Sequence, residues 1–371
     1  MYRRSTTALG LLLACTLSTQ AGGQPSRPAP AAAALHSGEV RLTYLGNAGW
    51  EITDGRKIIL VDPFLTQFAR WTPAGPAPDV GPNDPYPADT ALIAAHVQRA
   101  DYVVLTHWHS DHALDAGYIS RRTGAVIIGH ETAANLARAY DVPDSALITV
   151  IGGEDYEFGD FSLRVIPSIH SALDKKRYYT NTRGLVGTAP RGLRAPLRRK
   201  DYVEGGSLAY LLRMGGHEIL IMGSMNYIER EMEGLRPDIA LVGANSQRLE
   251  IHDFTGRLLR ALGEPALVIP THADAYGNPN PSAADLADRE RFRQEVAAAS
   301  PASRFIRPKW FEPIVVPARS PEVAAAGPPA SGRPLVRTPG ISPLGPAYSV
   351  AVRNGAPVLV SCTSGDMADV I

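Results

Sequence analysis

The segment Thr106-His107-Trp108-His109-Ser110-Asp111-His112 constrains the fold of this 371-residue chain more than any other feature. It directly follows the apolar run Tyr102 to Leu105, which predicts a strand, and it precedes a helical pattern that begins near Ala113. On extended backbone its alternating histidines point the same way, and the Asp-His pair at its end can face a second site. Imidazole and carboxylate are ligands that suit zinc, so the spacing predicts a metal site at a strand end rather than a solvated polar loop.

Composition places the chain among globular proteins with a substantial core. Hydrophobic residues make up 44% and charged residues 20% of the sequence. The 37 basic and 37 acidic residues cancel, so no global field attracts nucleic acid or an anionic membrane. We therefore expect a small-molecule substrate and no nucleic-acid partner, while the oligomeric state stays open.

Residues 1–22 have the pattern of an export signal. A short basic start at Arg3-Arg4 is followed by the apolar run Ala8 to Ala14 and then by small residues. The segment ending in Ala14-Cys15 also resembles a bacterial lipoprotein box, so either Cys15 carries a lipid anchor or cleavage follows Ala21. Both alternatives predict an exported protein, either periplasmic or anchored to the membrane as a lipoprotein, or otherwise secreted.

The rest of the chain divides into three segments by composition. Residues 23–37 are rich in Ala, Pro and Gly and predict a flexible linker, and residues 38–317 predict the globular domain. Residues 318–371 are again rich in Pro and Gly, which predicts a mostly disordered tail. Within that tail, Val358 to Val360 is the only strand-like piece.

Inside the domain, short β-branched runs alternate with helical patterns. Paired strands precede the first helix in each half, which favours an α/β fold of the four-layer αββα sandwich type. The predicted strands are Val40 to Tyr44, Ile58 to Val61, Tyr102 to Leu105, Val126 to Ile128, Leu163 to Ile166, Leu208 to Leu212, Ile219 to Met222, Ile239 to Val242 and Leu267 to Ile269. The predicted helices are Ala88 to Arg99, Ala113 to Arg122, Thr132 to Tyr140, Tyr227 to Gly234, Phe254 to Leu262 and Ala283 to Ala299.

The His-x-His-x-Asp-His motif resembles the signature of the metallo-β-lactamase superfamily, and the resemblance covers about residues 38 to 312. Tyr44-Leu45-Gly46 and Ile59 to Phe64 are similar to the opening of its lactonase-like branch. The resemblance implies a hydrolase with two zinc ions. It implies that the first ion is held by His107, His109 and His170 and the second by Asp111, His112 and His272.

Two further positions follow from the resemblance. Asp62 matches a family aspartate that supports the ligands from behind, although a turn-forming Asp before Pro63 is an equal alternative. Most members carry a bridging aspartate after a strand-end glycine, whereas this chain has Gly223-Ser224-Met225-Asn226. Losing that carboxylate weakens the hold on a second ion. Subclass B3 enzymes resemble this arrangement and also carry serine there, so the ligand set is still sufficient for two zinc ions.

The implied activity is hydrolysis of a small ester, lactone or phosphoester substrate. Zinc lowers the pKa of a bound water to about 7 and thereby supplies hydroxide at neutral pH. Asp111 is the expected catalytic residue, because it positions that nucleophile. The alternatives are a B3-like β-lactamase, a nuclease or phosphodiesterase, an iron-dependent oxygen or sulfur enzyme on the same fold, and a non-catalytic binding protein.

Two long loops could shape the substrate pocket. The insert Ala172 to Gly206 is strongly basic and predicts either a lid that favours anionic substrates or a solvated loop. The loop Phe64 to Pro87 carries Phe68, Trp71 and Tyr86 and predicts either an apolar pocket wall or a cover for the core edge. Trp108, inside the motif, is expected to pack rather than to contact substrate.

Overall fold

A computed structural model describes residues 34–72, 75–172, 187–319, 348–353 and 356–361. The predicted export signal, the possible lipid attachment at Cys15 and residues 23–33 of the predicted linker lie outside these residues. So do residues 173–186 of the basic insert. Within the described ranges, no helix is both long enough and apolar enough to cross a membrane. The predicted segment boundaries stay predictions.

Strands dominate the described part of the chain, and short helices connect them. The strands are β1 Val40–Gly46, β2 Gly49–Thr53, β3 Ile58–Val61, β4 Trp71–Thr72, β5 Gly75–Pro76, β6 Tyr102–Val104, β7 Val126–Gly129, β8 Leu147–Thr149, β9 Asp155–Glu157, β10 Phe161–Pro167, β11 Leu208–Met214, β12 His217–Met222, β13 Ile239–Gly243, β14 Leu267–Thr271, β15 Arg304–Phe305, β16 Pro313–Val316, β17 Tyr348–Arg353 and β18 Ala356–Ser361. The helices are α1 Thr90–His96, α2 Ser110–Ala113, α3 Ala116–Thr123, α4 Glu131–Arg138, α5 Glu229–Met232, α6 Phe254–Leu262 and α7 Ala283–Ala299.

Two seven-stranded sheets carry the fold. Their strand orders are β16-β1-β2-β3-β6-β7-β8 and β15-β14-β13-β12-β11-β10-β9. In the first sheet β16, β1, β2 and β3 pair antiparallel, and β6, β7 and β8 continue parallel to β3. In the second sheet β9 to β12 pair antiparallel, and β13 to β15 continue in parallel. The two halves therefore share one plan, as the sequence pattern predicted.

Alternate residues along each strand enter different apolar layers. In β6, Val104 packs between the two sheets, whereas Val103 faces the layer under α1, α3 and α4. In β12, Ile219 joins the layer between the sheets and Leu220 the layer under α6 and α7. Because side chains alternate across a strand, each sheet is covered on both faces, which confirms the four-layer αββα sandwich.

The predicted strands all lie within or next to observed ones, and α6 and α7 begin and end at the predicted residues. The helix predicted from Ala113 to Arg122 starts three residues earlier, at Ser110, and breaks into α2 and α3. The break falls at Asp115, whose carboxylate accepts hydrogen bonds from the backbone and the hydroxyl of Thr66. That long-range contact is not visible in the local helical pattern.

The prediction of a single strand-like piece in the tail is wrong. Val358 to Val360 lies in β18, but β18 pairs antiparallel with β17. The sequence signal was present, since an Asn-Gly pair separates the two runs, and such pairs are typical of hairpins. The prolines that precede the hairpin favoured a disordered tail instead.

Candidate metal centre

All six predicted ligands come together at strand ends. His107 and His109 follow β6, with Asp111 and His112 in the adjoining α2, while the last two follow strands of the second sheet. His170 comes after β10 and His272 directly after β14. Both sheets therefore contribute, because the ends of β6, β10 and β14 meet at one edge of the sandwich.

The six side chains form two groups of three. The ligand atoms of His107, His109 and His170 lie within 4.8 Å of one another, and so do those of Asp111, His112 and His272. The groups adjoin, since the ring centroids of His107 and His112 are 3.8 Å apart. In the second group, the Nε2 atoms of His112 and His272 lie 3.5 and 3.3 Å from Asp111 Oδ2. The arrangement matches the division that the resemblance implied.

Asp62 orients one histidine in each group. Its carboxylate is fully buried at the end of β3, where it accepts hydrogen bonds from His112 Nδ1 (2.9 Å) and from Thr106 Oγ1 (2.5 Å). Because the threonine hydroxyl donates to Asp62, it can accept the proton on His107 Nδ1, 3.2 Å away. Both imidazoles then carry their proton on Nδ1 and keep Nε2 bare. The supporting role predicted for Asp62 fits this geometry, while its backbone φ of 38° also makes a sharp turn.

Gly223 leaves the space that the side chains of Asp62 and Thr106 occupy. A Cβ atom at this position would lie 1.9 Å from Thr106 Oγ1 and 2.6 Å from Asp62 Oδ2. Such distances are far below van der Waals contact, so any side chain here would displace the carboxylate or the threonine. The glycine at the end of β12 is therefore required by close approach from the other sheet.

Ser224 and Asn226 support the segment around His170. Ser224 Oγ accepts a hydrogen bond from the backbone N–H of Ser171 at 2.7 Å, and Asn226 Nδ2 donates to the carbonyl of His170 at 3.3 Å. His170 Nδ1 lies 3.1 Å from the carbonyl of Ser171, which leaves its Nε2 available. The residue in place of the bridging aspartate thus holds a loop through an uncharged hydroxyl.

Asn47 is a positioning residue that the sequence analysis did not identify. It lies in the turn between β1 and β2, where its Nδ2 donates to the carbonyl of Asp111 at 2.6 Å. Its own carbonyl accepts from the backbone N–H of His272 at 2.6 Å. One buried residue therefore joins two members of the second group, Asp111 through its side chain and His272 through its backbone carbonyl. The Gly46-Asn47 turn was a visible signal, but nothing local shows what it contacts.

The electrostatics of the two groups differ. Burial, with the neighbouring histidines, holds the pKa of His107 well below its usual range, and burial lowers the pKa of His170 to about 3. These rings are neutral at pH 7, as metal ligation requires. Burial opposes protonation of His112, but Asp111 and Asp62 outweigh it and raise the pKa of that ring. The carboxylates of Asp111 and Asp62 thus favour a positive charge, from a proton or a metal ion, at the second group.

The donor set fits metal ions. The Nε2 atoms of His107 and His112 are buried and have no hydrogen-bond partner among the described residues. Buried polar atoms are normally satisfied, so two bare imidazole nitrogens beside further ligand atoms are best explained by ligation. The first group offers three neutral histidines, and the second adds a carboxylate.

A cavity of about 490 Å³ opens beside the candidate ligands. That volume lies in the ordinary range of small-molecule sites. Its walls include Trp71 and Tyr86 from the loop after β3, together with Arg70 and Arg199. In the same loop Phe68 instead packs on Trp310, with ring centroids 5.1 Å apart, so this loop both lines the pocket and covers the core edge. Trp108 is buried in the core, as expected.

The described part of the basic insert contributes one residue to this cavity. Arg199 lines the pocket and donates to the carbonyl of Val80 at 3.0 Å. A lid formed by the whole insert stays a prediction, because residues 173–186 lie outside the described structure.

Comparison with known proteins gives a family match over most of the domain. Residues 41–272, more than half of the chain, match the profile of the family described as Beta-lactamase superfamily domain. A metal-dependent hydrolase of Thermoplasma volcanium, from the family UPF0173, is 26% identical over 276 residues, which cover 74% of this chain and 99% of the relative.

Shorter and more distant similarities accompany this match. A UPF0173 metal-dependent hydrolase of Thermococcus onnurineus is 34% identical over 149 residues, which cover 40% of this chain and 55% of the relative. Among solved structures, Igni18, a metallo hydrolase from Ignicoccus hospitalis, aligns with a TM-score of 0.48 and 18% identity. That alignment covers 76% of this chain and all of the other.

Replacing Asp62 by Asn should weaken metal binding. The Asp62 carboxylate accepts three hydrogen bonds, since the backbone N–H of Thr106 also donates to it at 2.8 Å. An amide has one acceptor oxygen and cannot receive all three, so His112 and Thr106 lose their fixed orientation. We expect metal affinity to fall about 10- to 100-fold, measured by competition with a chromophoric chelator. Asp115→Asn is the matched control, because Asp115 is equally buried but accepts from Thr66. Equal affinity in the two variants would contradict the role of Asp62.

Proposed function

The chain belongs to the metallo-β-lactamase superfamily of metal-dependent hydrolases, and we propose that it is an exported zinc hydrolase of small esters, lactones or phosphoesters. One observation carries the proposal. Six candidate ligand atoms form two adjoining groups of three, and two of the imidazole nitrogens are buried with no hydrogen-bond partner in the part of the chain that the structure describes. The groups open onto a cavity large enough for a small molecule.

His107, His109 and His170 would hold one ion, and Asp111, His112 and His272 the other. When bound, zinc supplies Lewis acidity and a water of lowered pKa. Three neutral imidazoles form a typical zinc set that leaves a fourth position open. Support for zinc therefore comes mainly from the first group.

The protein's own groups position the reaction. Interaction with His112 and His272 outweighs the effect of burial and lowers the pKa of Asp111, so this residue stays a carboxylate at neutral pH. Its side chain is 23% exposed and lines the cavity, so it can accept a hydrogen bond from the attacking water and hold it toward the substrate. Asn47 fixes the backbone behind Asp111. Burial keeps the pKa of His170 too low for that ring to act as a proton donor.

The pocket walls favour a substrate with an apolar body and an anionic group. Trp71 and Tyr86 provide aromatic surface, and Arg199 adds an exposed positive charge at the cavity. Arg70 contributes less, because Asp79 pairs with it at 2.5 Å. Among the described residues of the wall, Arg199 is the cation without an acidic ion-pair partner, and one such charge suits a monoanion better than a phosphate-rich polymer, in agreement with the zero net charge.

A second candidate is an iron-dependent oxygen enzyme. Asp111, His112 and His272 form a set of two histidines and one carboxylate, which is the ligand type of non-haem iron oxygenases. The all-histidine first group weighs toward zinc. Oxygen consumption by iron-loaded protein, without hydrolysis by zinc-loaded protein, would favour this candidate.

Removing the metal should abolish hydrolysis. We expect about two zinc ions per chain, measured by elemental analysis of protein purified without added metal. His107→Ala should leave at most about 1% of the turnover of p-nitrophenyl esters, lactones or bis-p-nitrophenyl phosphate, since the ligand set would be incomplete. His252→Ala, which changes an exposed histidine, is the control. Full activity after chelation would refute the proposal, and efficient nitrocefin hydrolysis would identify a β-lactamase instead.

Arg199 should discriminate between charged and neutral substrates. Arg199→Gln is expected to raise KM for an anionic ester about 3- to 10-fold and to leave KM for its neutral analogue unchanged, because only the former uses the charge. Arg194→Gln is the matched control, since Arg194 lies in the same segment and does not line the cavity. An equal change in KM for both substrates would exclude charge recognition by Arg199.

Export rests on the pattern of residues 1–22 alone. We expect the mature chain to lack residues 1–14 or residues 1–21, because basic, apolar and small residues follow one another as in export signals. Intact mass measurement distinguishes cleavage after Ala21 from a lipid attached to Cys15. A full-length mass in the native host would contradict export by either route.

A further inference from the structure

A second cavity, of about 280 Å³, contains none of the six candidate ligands. Aromatic rings of Tyr44, Phe292, Phe305 and Trp310 form much of its wall. At about 30 Å³ per water, it has room for roughly nine water molecules, which is the size of a small organic ligand rather than of an ion. Its mainly apolar surface would hold water poorly.

Arg289 brings two unsatisfied hydrogen-bond donors to this cavity, although its charge already interacts with Asp285 on the same helix. Its Nε and Nη2 atoms are buried and have no hydrogen-bond partner among the described residues, although the residue lines the cavity. These two nitrogens lie on one edge of the guanidinium, and their N–H bonds are parallel. That edge binds a carboxylate through two parallel hydrogen bonds. A carboxylate in the cavity would satisfy both donors.

Asp274 provides the complementary group. Its side chain is almost fully buried, and Oδ2 accepts from the backbone N–H of Asn47 at 2.9 Å and from Trp310 Nε1 at 2.8 Å. Oδ1 is buried and has no well-aligned hydrogen-bond partner among the described residues, although the Tyr44 hydroxyl lies beside this carboxylate. Burying a carboxylate oxygen without a donor is unfavourable. A positively charged donor from a ligand would satisfy it.

The other charged residues of the cavity are already paired. Lys309 lies 3.1 Å from Glu312, and Arg307 lies 3.9 Å from Glu290. Among the described residues, Arg289 and Asp274 therefore remain as two groups of opposite charge with unsatisfied polar atoms in one apolar cavity. A phosphate would bring additional negative charge close to Asp274, whereas a zwitterion satisfies both groups at once.

We propose that this cavity binds a hydrophobic α-amino acid, with its carboxylate on Arg289, its ammonium group on Asp274 and its side chain among Phe292, Phe305 and Trp310. The ligand needs both charges, because its carboxylate pairs with Arg289 and its ammonium group with Asp274. Its apolar side chain fits the aromatic walls. The site is separate from hydrolysis and does not depend on the proposed substrate.

Isothermal titration of the full chain with L-phenylalanine and L-leucine tests the proposal. We expect binding of at least one of them, and we expect 3-phenylpropionate and phenethylamine, which each lack one charged group, to bind at least about 10-fold more weakly. No heat of binding with either amino acid would overturn the proposal. Equal binding of 3-phenylpropionate would show that Asp274 has no part in recognition and would overturn it as well.

Arg289→Gln should weaken amino-acid binding at least about 10-fold, because a neutral amide replaces the charged fork. Arg291→Gln is the control on the same helix, since that guanidinium is mostly exposed and pairs with Glu295. Undiminished binding by Arg289→Gln, or equal loss in both variants, would contradict the assignment. If Arg289→Gln does not fold, the comparison of the four ligands on the unaltered chain decides alone.

Discussion

The carboxylate of Asp62 is the interaction on which the candidate metal centre depends. It is fully buried, and hydrogen bonds from Thr106 and His112 hold it. Through those two residues it orients an imidazole in each group of ligands. A buried carboxylate is stable only when donors surround it, so the same contacts that stabilise Asp62 also fix the histidine tautomers. Gly223 leaves the space that the arrangement requires.

The sandwich is what makes such a centre possible. The first sheet supplies the motif after β6, and the second supplies His170 and His272 after β10 and β14. The sheets must keep a fixed separation for these residues to converge. The apolar layer between them provides it, and Trp50 adds a hydrogen bond from its Nε1 to Thr271 Oγ1, 3.0 Å away, which links β2 to β14. The position of His272, the next residue, therefore depends on packing across both sheets.

The sequence was most informative where chemistry is local. Four ligands lie within six residues after a clear strand, and short apolar runs predicted nine of the fourteen strands that form both sheets. The strands β2, β8, β9, β15 and β16 were not predicted. His170 and His272 could be proposed only because the family pattern gave their order along the chain. The roles of Asn47 and Gly223 could not be predicted from the sequence. Asn47 contacts Asp111, which is 64 positions away, and Gly223 lies against side chains at the strand ends of the other sheet. Local patterns do not contain such long-range contacts.

The end of β14 separates the two cavities. His272 faces the metal centre, and Asp274, two residues later, faces the aromatic cavity that contains Arg289. Asn47 contacts both sides, because its backbone N–H donates to Asp274 while its carbonyl accepts from His272 and its side chain donates to Asp111. A displacement of Asp274 must therefore change the contacts of Asn47. Since linkage between binding sites is reciprocal, any effect of a ligand at Asp274 on metal affinity would be matched by an equal effect of metal on that ligand.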